Sequence, residues 1–234
     1  MGRRIVGLAP ELGLAVAAEV DREGPALDAE LGARAHCVVD FSVPSQLPAT
    51  LAFCTTHRLP LVLGTTGLGQ DGDRAIADAA RIVPIVAAPN FSIGVHVLMT
   101  LVAEAAQLLD ARWDVEIVEA HHRLKVDAPS GTALALADRI ASARAVATNR
   151  LRHGREGQVG ARARGEIGMH AVRGGSVVGE HAVSFFGIGE ALTLEHRALD
   201  RDIFARGALT AASWLVARPR TPLRYGLGDV LGPG

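Results

Sequence analysis

The chain of 234 residues is poor in lysine, cysteine and aromatic side chains, and it has no long hydrophobic run. Hydrophobic residues make up 49% of the sequence, yet no uninterrupted apolar stretch approaches the roughly 18–20 residues that a membrane-spanning helix needs. A basic segment followed by an apolar core, which would indicate a secretory signal, is absent from the start of the chain. We therefore expect no membrane partner and a cytoplasmic location.

Charge and aromatic content argue against a nucleic-acid partner. The net charge is −1, and aromatic residues make up 4% of the chain, so phosphate attraction and base stacking are both weakly supported. Cys37 and Cys54 stand alone in apolar segments without a CxxC spacing, which favours buried, reduced thiols. A cytoplasmic α/β enzyme is the class that remains.

Lysine is almost missing: of 24 basic residues, 23 are arginine, and the single lysine is Lys125. Arginine is permanently charged, whereas an amine can give up a proton, so a position that stays lysine is a candidate for proton transfer. Lys125 lies in a run (119–132) that also holds an acid, two histidines and a Pro-Ser-Gly-Thr turn. The alternative is that one lysine survived there by chance.

The first half of the chain alternates short apolar runs with helical patterns, which is typical of parallel βαβ units. Helices are predicted at 2–9, from about 45 to 57 and from about 71 to 81. The predicted strands are Leu14–Val20, Ala35–Asp40, Leu61–Leu63 and Pro84–Ala87.

The second half has a different pattern. Helices are predicted at 93–110, 132–145 and 203–217, and a strand at 114–120. Three further strands, 166–173, 176–186 and 191–198, are joined by glycine turns, which predicts antiparallel pairing. Asn149–Gly165, rich in arginine and glycine, indicates a long exposed loop.

These patterns predict an α/β fold with a Rossmann-type parallel sheet and an inserted α+β domain built on an open mixed sheet. We expect a dinucleotide-binding domain over 1–91 and 203–234. Residues 92–202 are expected to form a substrate-binding and oligomerisation domain.

Suggestive residues follow three predicted strands, and in an open parallel sheet ligands bind beyond such strand ends. Asp21 could accept from a ribose hydroxyl, and Arg22 beside it could meet a 2′-phosphate. Residues 64–66 offer close backbone approach and two hydroxyls, and residues 88–91 offer an amide and a ring. Each of these segments is also an ordinary turn or loop.

Pro129–Thr132 opens a helix, and the amides of a helix N-terminus form an anion site. Next to the two histidines and the lysine, it indicates a pocket for a carboxylate or phosphate with proton donors nearby. A metal site of Glu119, His121 and His122 is the alternative, but His122 points to the opposite face of the strand. We therefore expect no metal.

Seven motifs together resemble the 4-hydroxy-tetrahydrodipicolinate reductase (dihydrodipicolinate reductase) family. The central one, EAHHRLKVDAPSGTA at 119–133, is highly specific. The others are VVDFS, VLGTTG, APNFSIGV, REGQVG, GEIGMHAVRGGSVVGEH and the terminal GDVLG. The resemblance implies reduction of a cyclic dicarboxylic imine with NADH or NADPH, and a homotetramer.

The resemblance also implies roles for individual residues. His121 would be the proton donor or acceptor and Lys125 a proton donor, while His122, Gly131 and Thr132 would hold substrate carboxylates. The matches that would line the cofactor are Gly64, Thr65, Thr66, Ala88, Pro89, Asn90 and Phe91 on the nicotinamide side, with Asp21 and Arg22 at the adenosine ribose.

One departure from the family concerns the start of the chain. The family begins with a strand and a GxxGRMG loop, and this chain matches that loop from its Met-Gly onward. We expect that Met1 lies inside this loop, so the first strand is missing and cofactor binding is weak. Two other functions stay open: another Rossmann-type amino-acid dehydrogenase, or a nucleotide- or dicarboxylate-binding protein with little turnover.

Overall fold

The structure is a computed structural model that describes residues 1–21, 24, 26–145 and 151–232. Contacts divide the chain into two units, one of residues 1–93 and 202–234 and the other of residues 94–201. In chain order the elements are α1 (Gly2–Leu8), α2 (Ala29–Arg34), β1 (Val38–Asp40), α3 (Leu47–His57), β2 (Leu61–Leu63), α4 (Gly69–Ala79), β3 (Ile85–Ala87), α5 (Ile93–Leu108), β4 (Asp114–His121), α6 (Gly131–Ala143), β5 (Leu151–His153), β6 (Ile167–Arg173), β7 (Gly179–Phe186), β8 (Ala191–Ala198), α7 (Asp202–Val216), β9 (Arg224–Tyr225) and α8 (Leu227–Leu231).

The first unit is a parallel sheet with helices on both faces. Its strand order is β1-β2-β3-β9, and every pairing in it is parallel. Successive side chains of a strand point to opposite faces, so Leu61 and Leu63 pack in a core with α3 and α4, while Val62 packs in a core with α1, α7 and α8. Apolar residues on both faces explain why β2 is a continuous hydrophobic run.

The second unit is an open mixed sheet with one covered face. Its order is β5-β6-β4-β7-β8, with β4 in the middle, parallel to β6 and antiparallel to β7. Helices α5 and α6 contribute to a core with the inward residues of the sheet, among them Val115, Ile117 and Phe185. The two units confirm the predicted fold class.

The predicted strand Leu14–Val20 is wrong. Residues 14–20 form no regular secondary structure, and Val16 and Val20 are 43% and 45% exposed. Alternating apolar residues become a strand only where a neighbour supplies ladder hydrogen bonds. None of the described strands pairs with this segment, and β1 is paired only with β2. Asp21 therefore follows a segment without regular secondary structure and does not end a strand.

The expected antiparallel pairing is right for β7 and β8 but wrong for β6 and β7. Strand β4 lies between β6 and β7 and pairs with both. The glycine turn after β6 instead passes the end of β4, where the Gly174 amide donates to the His121 carbonyl over 3.0 Å. A short turn thus spans one intervening strand, which the turn residues alone do not reveal.

The expectation of an exposed loop at Asn149–Gly165 is partly wrong. Residues 146–150 lie outside the described part, but Leu151–His153 form β5 at the sheet edge. Arg155 and Arg162 both bind the Glu116 carboxylate, at 2.8 and 3.1 Å. These ion pairs attach the segment to the sheet, although residues 155–161 are exposed, as its composition predicts.

Both cysteines are free thiols. Burial raises the pKa of Cys37 and of Cys54 to about 12, so neither is a reactive thiolate. None of the described helices is both long and apolar enough to cross a bilayer.

Candidate active site

The end of β4 places an acid and a histidine on the inward face of the second sheet. Val115 and Ile117 are buried, and Glu119 and His121 follow at the same two-residue spacing. The Glu119 side chain is fully buried, and the His121 side chain is 12% exposed. Glu119 Oε2 lies 2.6 Å from His121 Nδ1. In the described ranges, no three His, Cys, Asp or Glu side chains are placed to share a metal ion.

Glu119 is compensated by three donors. Arg173, at the end of β6, forms a two-pronged ion pair with both carboxylate oxygens, at 2.8 and 2.7 Å. The backbone amide of Ser130 donates to Oε1 over 3.1 Å. Burial opposes ionisation, but the hydrogen bonds from Arg173, His121 and Ser130 outweigh it and lower the pKa of Glu119. The carboxylate is therefore ionised at neutral pH.

The N-terminus of α6 joins this network through Ser130. Its hydroxyl accepts from the Ala133 amide over 3.2 Å, which caps the helix, and lies 3.0 Å from His181 Nε2. Gly131, the first residue of α6, is exposed, and Thr132 is half-buried. The positive end of the helix dipole is thus presented beside the histidines, as an anion site requires.

Lys125 lies in the loop between β4 and α6. Its side chain is 21% exposed, and Nζ binds both Asp127 carboxylate oxygens, at 2.8 and 2.9 Å. The ion pair with Lys125 lowers the pKa of Asp127. Arg173 also donates to the Asp127 carbonyl over 2.7 Å, and the Lys125 amide donates to the carbonyl of half-buried His122. Arg173 therefore holds both the Glu119 carboxylate and the loop that carries Lys125.

In the first unit, Asp40 organises the loops after β1 and β2. Its buried carboxylate accepts from the Ser42 amide at 2.7 Å, from Thr50 Oγ1 at 2.8 Å and from Thr65 Oγ1 at 3.1 Å. The Gly64 amide donates to the Asp40 carbonyl over 2.8 Å. Because Thr65 is buried in this network, exposed Thr66 is the hydroxyl that remains accessible.

Gly64 has to be glycine, since an added Cβ would lie 2.3 Å from the ring of Phe41. Phe91 is buried, and its ring centroid lies 5.4 Å from that of Phe41. A pocket of about 270 Å³ lies next to these loops, and four predicted site residues line it: Thr65, Thr66, Ala88 and Pro89.

Among the described residues, the other four predicted for the cofactor do not line this pocket: Asp21, Gly64, Asn90 and Phe91. Asn90 is half-buried and accepts from the Ser92 amide over 2.8 Å. Asp21 is exposed, and Arg22 lies outside the described residues.

The sequence reasoning missed several side chains that hold these groups in place. It gave no role to Asp40, Ser130, Arg173 or His181, and it weighed Glu119 only as a metal ligand. A capping serine before a helix and the acid two residues before a histidine were readable local signals. The contribution of Arg173 was not, because it lies 54 residues from Glu119 in the chain.

Comparison with known proteins gives a consistent picture. The family model "Dihydrodipicolinate reductase, N-terminus" matches residues 1–91, and "Dihydrodipicolinate reductase, C-terminus" matches residues 94–231. A 4-hydroxy-tetrahydrodipicolinate reductase of Myxococcus xanthus is 46% identical over 226 residues, which cover 97% of this chain and 82% of the relative. That of Parvibaculum lavamentivorans is 43% identical, covering 99% of this chain and 94% of the relative.

A solved structure agrees with these sequence matches. Dipicolinate-bound dihydrodipicolinate reductase from a Paenisporosarcina species gives a TM-score of 0.68 at 30% identity, over 85% of this chain and 74% of that one.

The buried His181 is expected to make stability depend on pH. Burial and the neighbouring His121 lower its pKa from 6.5 to about 4. The folded state thus disfavours the protonated form, so stability is full above 6.5 and falls as the pH drops towards 4. A shift of this size corresponds to a loss of about 3 kcal/mol.

Urea unfolding between these pH values measures the effect. We expect His181→Gln to remove this part of the pH dependence, whereas His153→Gln, at an exposed histidine in the same unit, should keep it. An unchanged pH dependence in His181→Gln would contradict the assignment.

Proposed function

The chain belongs to the dihydrodipicolinate reductase family, and we propose that it reduces 4-hydroxy-tetrahydrodipicolinate to tetrahydrodipicolinate with NADH or NADPH, in diaminopimelate and lysine biosynthesis. The observation that carries this proposal is the bonded network of Glu119, which joins a histidine at a strand end to the anion-binding end of α6. The network supplies the proton and the carboxylate site that reduction of a dicarboxylic imine requires.

We assign the binding of the substrate's carboxylates to the second unit. The N-terminal residues of α6, Gly131 and Thr132, would hold one carboxylate, and half-buried His122 would support the other. The solved relative from Paenisporosarcina is described as binding dipicolinate, an aromatic dicarboxylate of the same kind. Fixing the ring at two points orients it for reaction, which is where much of an enzyme's rate advantage arises.

The reaction adds a hydride and a proton to a ring double bond once the hydroxyl has left as water. The bound nicotinamide cofactor supplies the hydride. His121 or Lys125 gives the proton to the neighbouring ring carbon. The His121 ring is oriented by Glu119 at Nδ1, and Lys125 carries a partly buried amine, so both are suited to proton transfer. General acid assistance of this kind contributes about 10²–10⁴-fold in rate.

We assign the cofactor to the first unit. The pocket in this unit is lined by Thr66, Ala88 and Pro89, and the lack of a side chain at Gly64 makes room for the Phe41 ring at the start of the loop that carries Thr66. Asn90 would contribute its side-chain amide to the cofactor. The buried ring of Phe91 would pack behind the loop of residues 88–91. Asp21 suits the ribose hydroxyl of NADH, and with Arg22 as its neighbour in the sequence we propose that the enzyme uses both cofactors.

We also propose that the chain forms a homotetramer through the outward face of the mixed sheet. This face carries exposed apolar side chains on three neighbouring strands: Val118 on β4, Val172 on β6 and Phe186 on β7, each 42–50% exposed. Exposed apolar side chains on neighbouring strands, set among charged residues such as Glu116, are a feature of protein–protein interfaces.

Replacing the single lysine tests the catalytic assignment. Lys125→Arg keeps the positive charge but removes the transferable proton, so kcat is expected to fall by about 10²-fold or more. Arg123→Lys is the matched control, because it makes the reverse exchange at an exposed position in the same loop and should leave turnover unchanged. Steady-state kinetics with substrate prepared enzymatically give both values, and near-normal turnover in Lys125→Arg would refute the role of the lysine.

The cofactor assignment is tested at Asp21. Loss of a hydrogen bond to a charged group costs roughly 1.5–3 kcal/mol, which is about 10–100-fold in affinity. We therefore expect Asp21→Ala to lower kcat/KM by that factor with NADH and to leave NADPH nearly unaffected. Wild-type preference for one cofactor by more than about two orders of magnitude (roughly 2.7 kcal/mol) would contradict dual use.

The oligomer is tested on the central strand. Val118→Glu places a charge in the middle of the outward face, where burial of an unpaired charge is costly. Light scattering should give a four-chain mass for the wild type and a smaller assembly for the variant. A monomeric wild type would disprove the tetramer.

A further inference from the structure

Glu119 contacts His121 and the Ser130 amide before α6, but none of the residues that we assign to the substrate's carboxylates. It lies at a junction of three elements: it is the partner of a histidine on its own strand, of Arg173 on β6 and of the Ser130 amide before α6. A fully buried carboxylate is costly unless every oxygen is compensated, as both are here. Packing alone therefore does not explain why a charged side chain is buried at this position.

We infer that Glu119 is a positioning residue: it fixes the His121 ring with its proton on Nδ1, so that Nε2 is the nitrogen that exchanges a proton with the substrate. This inference rests on the proposed function, since it specifies how His121 serves the reduction. The contact between Glu119 Oε2 and Nδ1, at 2.6 Å, carries it.

The chemistry of the pair fixes the tautomer. An ionised carboxylate only accepts hydrogen bonds, so the nitrogen facing it has to be the protonated one. Arg173 and the Ser130 amide keep the carboxylate ionised, because protonation would leave their donors poorly matched. Nε2 is then the ring nitrogen left for a ligand, and the ring is partly exposed.

The surroundings of Nε2 are consistent with this role. Gly179 lies beside it on β7, and a Cβ at that position would come to 3.1 Å from Nε2. The ring of His181 packs edge-on against His121, with centroids 5.2 Å apart, and limits its rotation. The ring is thus oriented by one hydrogen bond and one packing contact, and its side chain stays 12% exposed.

The same carboxylate also fixes the anion-binding turn. Oε1 accepts from the Ser130 amide, so the ring and the start of α6 are attached to one rigid group. Arg173 extends this attachment to the loop of Lys125 through the Asp127 carbonyl. Small displacements between a proton donor and a binding site are costly in rate, so a shared anchor has a direct catalytic use.

Strand β4 offers a matched control on its opposite face. Glu116 is less buried than Glu119, with a side chain 19% exposed, but it also binds arginines (Arg155 and Arg162) and lies 2.7 Å from His170 Nε2. These partners overcome the effect of burial and lower the pKa of Glu116 to about 2. A loss of charge there disturbs the same kind of network on the same strand without contacting His121.

The test compares Glu119→Gln with Glu116→Gln. In Glu119→Gln the amide nitrogen is expected to face His121, because the Oε1 position has to accept from both Ser130 and Arg173. The amide would then donate to Nδ1 and move the ring proton to Nε2. Nitrogen-15 NMR at alkaline pH, where histidines are neutral, reports the tautomer. The His121 signals are identified by their loss in His121→Asn.

For wild type and Glu116→Gln we expect the proton on Nδ1 and equal kcat. For Glu119→Gln we expect the proton on Nε2 and a kcat lower by at least about tenfold, which is the smallest loss typical of mutating the partners that orient metal-binding histidines. Glu119→Asp keeps the charge and should keep the Nδ1 proton and recover part of the rate. Thermal unfolding of both glutamine variants separates a loss of stability from the loss of rate.

Two results would overturn the inference: a wild-type ring protonated on Nε2, or Glu119→Gln with wild-type kcat. The wild-type spectrum decides even if Glu119→Gln fails to fold. Failure of the proposed function looks different, because the wild type would then show no turnover while its ring still carried the Nδ1 proton.

Discussion

The ion pair between Glu119 and Arg173 is the interaction on which the second unit's site depends. Arg173 is the last residue of β6 and Glu119 lies near the end of β4, so the pair joins neighbouring strands. The Glu119 side chain is fully buried there. Removing one partner of a buried pair leaves a charge uncompensated, at a cost of about 3–5 kcal/mol. Everything proposed for catalysis here (the histidine, the lysine loop and the helix end) is bonded to one of these two side chains.

A similar solution is found in the first unit. Asp40 is a buried acid at the end of a strand, and it accepts hydrogen bonds from the loop that follows it, from α3 and from the loop after β2. In both units an ionisable group below the surface orders the surface loops, because a buried acceptor has to be satisfied and only a few loop conformations do so. The side chains proposed to bind ligands are therefore held in place by buried acids that bind no ligand themselves.

Much of the local structure could be predicted from the sequence. The helix at 131–143 begins at a capping serine, the strand at 114–121 shows a two-residue periodicity, and the three apolar residues at 61–63 are bounded by turn residues. Capping and periodicity are properties of adjacent residues, so they are readable before folding. The fold class followed from these elements, and the motif at 119–133 gave the family.

The same reasoning failed wherever a distant partner decides. Residues 14–20 have a strand pattern, but none of the described strands pairs with them, and β6 and β7 have a hairpin turn but β4 between them. The segment after residue 150 has the composition of a loop but is held by Arg155 and Arg162 on Glu116. The residue pattern of a segment limits which secondary structure it can form, and its contacts with other segments decide which one it does form.

The sequence alone therefore determined most of the helices and strands, the family and the side chains able to move a proton, because these depend on residue type and short-range spacing. Tertiary structure decided which nitrogen of His121 meets an acid, which arginine keeps that acid charged and which loops Asp40 orders. Those contacts join residues 54 apart in the case of Glu119 and Arg173, and 25 apart in the case of Asp40 and Thr65. Sheet order brings them together, and no local preference encodes it.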